Sequence, residues 1–117
     1  MPRLMSFSLT TPQMLDGSKD VTRRLGWRFL WLRETLWAVE KAQGLRKGEH
    51  VRRLGKIMVT SLRRERLNRI DEAECIREGF PNLSPAAFIR IFCEANRCTP
   101  RTAITRIEFV RVGKWPQ

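Results

Sequence analysis

The chain has 117 residues with a hydrophobic content of 42%, which suits one domain with a modest core, and we predict a single domain over residues 1–117. Its 23 Lys and Arg residues exceed its 12 acidic residues and give a formal net charge of +11. Such a charge attracts polyanions, so nucleic acid or a nucleotide-like ligand is the expected partner. The apolar runs are too short for a membrane-spanning helix, and we expect no membrane partner.

The cysteine and histidine content argues against a metal site. Cys75, Cys93, Cys98 and the single histidine, His50, do not form a four-ligand zinc set at any usual spacing. We therefore expect no metal and no other cofactor. An odd cysteine count without a recognisable signal peptide predicts a cytoplasmic protein with reduced thiols.

The first two predicted elements are a strand and a short helix. Met5, Phe7 and Leu9 alternate with serines, and this period of two predicts a half-buried opening strand. Thr11 stands at an N-cap position before a proline, and Gly17 stands where a left-handed residue ends a helix. The helix is therefore expected to end just before Lys19.

The segment from Gly17 to Arg24 concentrates polar chemistry. Lys19 can act as a base if burial or nearby positive charge lowers its pKa, and a base can activate the hydroxyl of Thr22 as a nucleophile. Arg23 and Arg24 supply such charge and can hold a phosphate or stabilise an oxyanion. If the loop runs into a strand, Thr22 and Arg24 point to the same side. The alternative is a solvated basic loop.

The middle of the chain predicts two strands with a basic surface. One strand is expected over 36–41 and a longer one over 51–62, and the glycines and charges of Gly44 to His50 predict a hairpin loop between them. The expected basic face comprises Arg52, Arg53, Lys56, Arg63, Arg64, Arg66 and Arg69.

The last third predicts two helices and a closing strand. Asp71 begins a capping box and Gly79 provides a stop, so a helix is expected through Glu78. A second helix begins at Ser84, and its apolar stripe is expected to pack on the body of the domain. Alternation resumes over 105–109. This order of elements favours an α+β fold, in which a small mixed sheet closes into a barrel with short helices against it. The stripe comprises Phe88, Ile91, Phe92 and Ala95.

Three motifs in this order resemble the ASCH family of PUA-like β-barrel domains. They are Gly17-x-Lys19-x-x-Thr22-x-Arg24, Glu78-Gly79-Phe80 before a Ser-Pro helix start, and Ile107-Glu108-Phe109 in the last strand. The resemblance spans roughly Met5 to Phe109. It implies a cleft between barrel and helices, into which the Lys-x-x-Thr-x-Arg segment projects and where relatives bind RNA or nucleotides.

One branch of small bacterial members of this family hydrolyses the amide of N4-acetylcytidine. The resemblance implies a catalytic set of Lys19 as base, Thr22 as nucleophile and Glu78 as proton donor to the cytosine amine. Arg24, Arg23 and Trp27 are the expected substrate-binding residues, and Arg24 or a loop N–H is the expected oxyanion donor. The expected ligand is a modified nucleoside or RNA.

The sequence departs from the family pattern at one turn. Leu32 to Thr35 occupies the place where relatives carry a Pro-Gly-Asp-like segment, and it contains no glycine. The nearby stretch from Trp27 to Trp37 is rich in tryptophan, which indicates either core packing or a platform for stacked bases.

A second function class remains open from the sequence. In a non-catalytic RNA-binding module, Lys19, Arg23, Arg24 and the pair Arg63 and Arg64 would contact phosphates while the cleft takes one base. A ribonuclease is a third alternative, for which the only histidine, in the predicted hairpin loop, is the one acid/base candidate.

Overall fold

A computed structural model describes residues 2–41, 47–48 and 50–116, and its strands form one mixed five-stranded sheet. The strands are β1 (Leu4–Ser6), β2 (Val21–Arg24), β3 (Thr35–Val39), β4 (Arg53–Arg66) and β5 (Ala103–Val112), in the spatial order β1-β3-β4-β5-β2. The β1–β3 pair is parallel and the other pairs are antiparallel. The helices are α1 (Thr11–Asp16), α2 (Glu72–Arg77) and α3 (Pro85–Asn96), with a single 3₁₀ turn at Leu67–Arg69.

The predicted α+β class and element order are confirmed, but the sheet is not closed into a barrel. Among the described residues, β1 and β2 are its two edges and share no ladder. The Arg24 side chain links these edges, since its Nη2 donates to the Ser6 carbonyl at 2.5 Å. The Arg24 side chain therefore connects β1 and β2, the two strands whose backbone pairing would close the sheet into a barrel.

Local capping signals account for the helix ends. Asp71 accepts a hydrogen bond from Glu74 N at the start of α2, and Ser84 accepts one from Ala87 N at the start of α3. Gly17 ends α1 with φ of +81°. The N-cap of α1 is one residue earlier than predicted, because the helix includes Thr11.

The apolar side chains form two clusters. The first lies between the sheet and α1, and the second lies under α2 and α3. Cys75 is buried in the second cluster, where its thiol packs as a small apolar group. The first cluster includes Met5, Phe7, Met14, Leu36, Ile57 and Phe109; the second includes Leu67, Ile70, Phe88 and Ile104.

Two predicted apolar faces are wrong in part. Leu9 is 73% exposed, because β1 ends at Ser6 and the chain turns before α1. Ile91 and Ala95 are exposed on α3, where Phe88 packs inward and Phe92 is only half-buried. Helical periodicity identified one face of α3, but only part of that face meets the domain.

Two loop regions bear on further sequence predictions. Most of the predicted hairpin loop between β3 and β4 lies outside the described residues, and His50 is exposed at its end. Arg33 adopts φ of +68° in the segment without a glycine. A non-glycine residue therefore takes the left-handed conformation at this turn. No helix in the described ranges is long and apolar enough to cross a lipid bilayer.

Candidate functional site

Hydrogen bonds connect the segment between α1 and β2 to α1 and to the end of α2, and they fix the position of Lys19. Lys19 N donates to the Gln13 carbonyl at 3.3 Å, and Asp20 N donates to the Arg77 carbonyl at 3.0 Å. Gln13 also donates from Nε2 to the Gly79 carbonyl at 3.0 Å. These bonds join two parts of the chain that are distant in sequence.

Lys19 and Glu78 form a buried pair at this junction. Lys19 Nζ donates to Glu78 Oε1 at 2.9 Å and to the Glu78 carbonyl at 2.6 Å, and both residues are no more than 4% exposed. Burial lowers the pKa of Lys19; Glu78 opposes this change, and the positive charges of Arg24 and Arg23 reinforce it. Its surroundings therefore favour a neutral amine more than water does.

A neutral Lys19 amine would have its lone pair free. Such an amine carries two N–H groups, and the structure provides two acceptors, both on Glu78. With both N–H groups engaged, the remaining valence is a lone pair that can accept a proton. The pair with Glu78 would therefore hold a neutral Lys19 amine with its lone pair available.

The Thr22 hydroxyl lies beside an immobilised guanidinium. Arg24 Nε donates to Thr22 Oγ1 at 2.9 Å, which confirms that these side chains share one side of β2. The Arg24 guanidinium carbon also stands 4.8 Å from the centre of the Phe7 ring. Burial lowers the pKa of Arg24 to about 10, which leaves it charged at neutral pH. A charged donor at this distance stabilises an alkoxide at Thr22.

A cavity of about 360 Å³ contains all three predicted catalytic residues. Lys19, Thr22 and Glu78 lie in its walls and are nearly inaccessible to solvent. The outer wall is apolar and comes from α3 and three loops. Among its members are Leu9, Leu25, Trp27, Leu83, Ile91 and Ala95. A ligand there would meet charged groups at one end and hydrocarbon at the other.

The described residues contain no hydrogen bond between Lys19 Nζ and Thr22 Oγ1. Thr22 accepts from Arg24 instead, and Lys19 donates to Glu78. Catalytic hydrogen bonds in free enzymes are often long and tighten only around substrate. The structure brings these side chains to one cavity. Proton transfer from Thr22 to Lys19 would require the two side chains to come into contact when substrate is bound.

Comparisons with known proteins identify a solved structure of similar fold but name no activity. No family model matches the chain, and no curated protein matches it. The crystal structure of protein EF3133 from Enterococcus faecalis V583, described with the family model DUF984, matches with a TM-score of 0.70. This chain is similar in fold to EF3133. Identity is 14%, over 96% of this chain and 80% of that chain, and at this level the likeness shows architecture alone.

Arg23 lines the cavity, but protein carboxylates already engage its guanidinium. It was expected to bind substrate, but its guanidinium is completely buried and donates to Glu78 Oε2 at 3.1 Å and to Glu74 Oε1 at 2.7 Å. Glu78 lies in the cavity wall, whereas Glu74 does not line the cavity. Arg23 is therefore a positioning residue for Glu78, and its charge is already compensated by protein groups.

The other predicted binding residues divide between cavity and surface. Trp27 lines the cavity and is half-buried against the first apolar cluster, so it both packs and faces a ligand. Arg63 and Arg64 are exposed and do not line the cavity. Arg63 pairs with Glu65 at 2.5 Å, and Arg64 donates to the Thr105 hydroxyl at 2.8 Å.

Sequence reasoning missed the apolar wall of the cavity. Ile91 and Ala95 were assigned to core packing, yet they line the cavity, as do Leu9 and Leu25. Phe80 follows Gly79 in the second motif and also lines it, 5.9 Å from the Phe88 ring centre. The motif was the available signal for Phe80, whereas nothing local distinguishes a cavity-facing Ile91 from a core residue.

The described part of the chain offers no group of three or more His, Cys, Asp or Glu side chains suited to a metal ion. His50 is exposed and does not line the cavity. The ribonuclease alternative therefore receives no acid/base group from this histidine at the candidate site.

Glu74 holds the ion pairs behind the cavity, and its removal should destabilise the fold. Arg106 and Arg23 hydrogen bonds lower the pKa of Glu74 from 4.5 to about 2. Because the folded pKa lies below the ordinary one, this stabilisation is complete above pH 4.5 and is lost as the pH falls toward 2. We expect Glu74→Gln to lower the free energy of unfolding at pH 7 by about 3 kcal/mol.

Urea denaturation of the full chain at pH 7 and at several acidic values tests this expectation. The matched control is Glu72→Gln, an exposed residue of the same helix, which should change stability by less than about 0.5 kcal/mol. Equal stability of Glu74→Gln and the parent protein would show that the buried arginines need no partner at this position.

Proposed function

We propose that the protein is an ASCH-like amidohydrolase that cleaves the N4-acyl amide of acetylated cytidine or a related nucleoside. The observation that carries this proposal is the buried Lys19–Glu78 pair in the same cavity as Thr22. Burial lowers the pKa of Lys19, so its amine is neutral more often than that of an exposed lysine and serves better as a base.

The first chemical step forms an acyl-enzyme. Thr22 Oγ1 attacks the acyl carbon while its proton passes to the lone pair of Lys19. Arg24 stabilises negative charge on the attacking oxygen through its Nε–H. Its Nη1 has no hydrogen-bond partner among the described residues and is the donor we assign to the tetrahedral oxyanion.

Collapse of the tetrahedral intermediate requires a proton on the leaving nitrogen. Lys19 gained one proton from Thr22, and its 2.9 Å hydrogen bond to Glu78 Oε1 provides a route to that carboxylate. Glu78 then protonates N4 of the cytosine as the C–N bond breaks. Water attacks the acyl-threonine with the same groups acting in reverse, which releases acetate and restores Thr22.

The direct test is incubation of the purified full chain with N4-acetylcytidine while the ultraviolet band of the substrate is followed. Conversion to cytidine and acetate supports the proposal. Complete stability of the substrate in the presence of folded protein would refute it for this nucleoside.

The rate should depend on the protonation of Lys19. Only the neutral amine can accept the Thr22 proton, so kcat/KM should increase about tenfold per pH unit until the pKa of Lys19 is passed. Because burial lowers that pKa, the increase should end below pH of about 10.4, the ordinary lysine value. Initial rates measured over a series of pH values test this increase. A plateau reached only above the ordinary lysine pKa would contradict a buried lysine base.

A further inference from the structure

Exposed aromatic side chains occupy the loop between β2 and β3, beside the cavity. Phe29 is 86% exposed, Trp31 is 62% exposed and Leu32 is 58% exposed. Large apolar side chains grouped on a surface mark a site of interaction more often than isolated ones do. The tryptophan-rich segment is therefore not explained by core packing alone.

A recess of about 430 Å³ lies under this loop. It is lined by Arg3, Leu4, Leu25, Gly26, Trp27, Arg28 and Phe29. Leu25 and Trp27 also line the catalytic cavity, so the two depressions share a wall. Molecules bound in the recess would lie next to the proposed active site.

One wall residue of the recess belongs to β1, the edge strand that pairs with β3, and β3 in turn pairs with β4. Leu4 lines the recess and is the register partner of Trp37 on β3. The Arg53 guanidinium carbon lies 4.7 Å from the Trp37 ring centre, and Lys56 Nζ lies 5.1 Å from it. We call these residues, with the recess and loop, the aromatic–basic surface: Arg3, Leu4, Leu25 to Phe29, Trp31, Trp37, Arg53 and Lys56.

The positive charges of this surface are available to a partner. Within the described ranges, no carboxylate forms an ion pair with Arg28, Arg53 or Lys56, whereas Arg3 is paired with Glu34 at 2.8 Å. Exposed rings next to uncompensated cations complement a ligand that carries both planar groups and phosphates.

We propose that the aromatic–basic surface binds single-stranded nucleic acid. Bases stack on the exposed rings of Phe29 and Trp31, and phosphates contact Arg28, Arg53 and Lys56. A duplex is unsuited, because its bases are already stacked and cannot cover these rings. This site is separate from the charged end of the catalytic cavity, and the binding does not require the hydrolytic activity.

Fluorescence anisotropy with end-labelled oligouridylate and oligodeoxythymidylate of equal length tests the proposal. The double variant Phe29→Ala/Trp31→Ala should weaken binding about tenfold or more at every salt concentration. Arg53→Gln/Lys56→Gln should reduce the slope of log affinity against log salt by about two. Binding of either strand supports the proposal, and the ratio of the two affinities shows whether the sugar is read.

Two matched controls make the test specific. Arg63→Gln/Arg64→Gln removes the same charge further along β4, where Arg63 is about 23 Å from Lys56 at 3.3 Å per residue, and should have the smaller effect on affinity. Ile76→Ala removes an exposed apolar side chain of α2 and should leave binding unchanged. Equal losses in both charge variants would overturn the assignment of the surface.

Two further outcomes would also overturn the proposal. One is the absence of oligonucleotide binding at low salt by a folded protein. The other is recruitment to anionic phospholipid vesicles that depends on Trp31 while oligonucleotides do not bind, which would identify a lipid surface instead. Because hydrolysis of the free nucleoside is measured separately, failure here leaves the amidohydrolase proposal standing.

Discussion

Thr22→Ala should abolish hydrolysis of N4-acetylcytidine, with kcat reduced by at least about 10³-fold. The variant removes the oxygen that we propose forms the acyl bond, and the remaining groups can only bind the substrate or orient water. The substrate should still enter, because the apolar wall and Arg24 remain. Loss of the ultraviolet band measures turnover, and equilibrium dialysis of the intact nucleoside measures binding.

Thr22→Ser and Thr60→Val provide the comparison for this result. Serine keeps the nucleophilic oxygen and should retain measurable turnover, whereas Thr60 is an exposed β4 residue away from the cavity and its change should have no effect. Mass spectrometry of acid-quenched parent protein should find the acyl group on Thr22. Undiminished turnover by folded Thr22→Ala would show that water, not threonine, attacks the amide.

Local sequence signals were sufficient for most of the element order. The helix caps at Asp71 and Ser84 involve only neighbouring atoms, and their residue types identify them in the sequence. The same is true of the positive φ at Gly17. The alternation in 105–109 likewise identified a strand that extends over Ala103–Val112. Such features follow from hydrogen bonds within a few residues.

Features set by long-range pairing could not be read in the same way. Closure of the sheet depends on whether β1 meets β2, and no local pattern encodes that contact. Ile91 belongs to an apolar stripe of α3, yet whether a stripe meets core or cavity depends on what the rest of the chain places opposite. The period of the apolar residues identifies the apolar face of a helix, but it does not show what packs against that face.

The candidate site shows the same division. The residue types of the Lys19 to Arg24 segment indicated a candidate site, and strand geometry correctly placed Thr22 with Arg24. Glu78 lies 59 residues from Lys19 and was reached only through the family resemblance. Arg23 has the composition of a ligand-binding residue, but the carboxylates that enclose it come from other elements.

Lys19→Met should eliminate turnover while the fold and substrate binding persist. Methionine is an unbranched side chain that fills comparable space in an apolar setting, and Glu78 keeps its hydrogen bond from Arg23 at 3.1 Å. Glu78→Gln is a harsher change, because it removes the carboxylate that Lys19 and the buried Arg23 guanidinium share. Comparing the two variants separates the loss of a base from the loss of stability.

Lys19→Arg distinguishes proton acceptance from simple positive charge. An arginine remains protonated throughout the accessible pH range and cannot accept the Thr22 proton, so it should be as inactive as methionine if Lys19 is the base. If the residue only supplies charge to an oxyanion, arginine should restore much of the rate that methionine loses. Initial rates of both variants, with the exposed Lys114→Met as control, decide between these roles. We expect both to fall by at least about 10²-fold, the usual contribution of a general base.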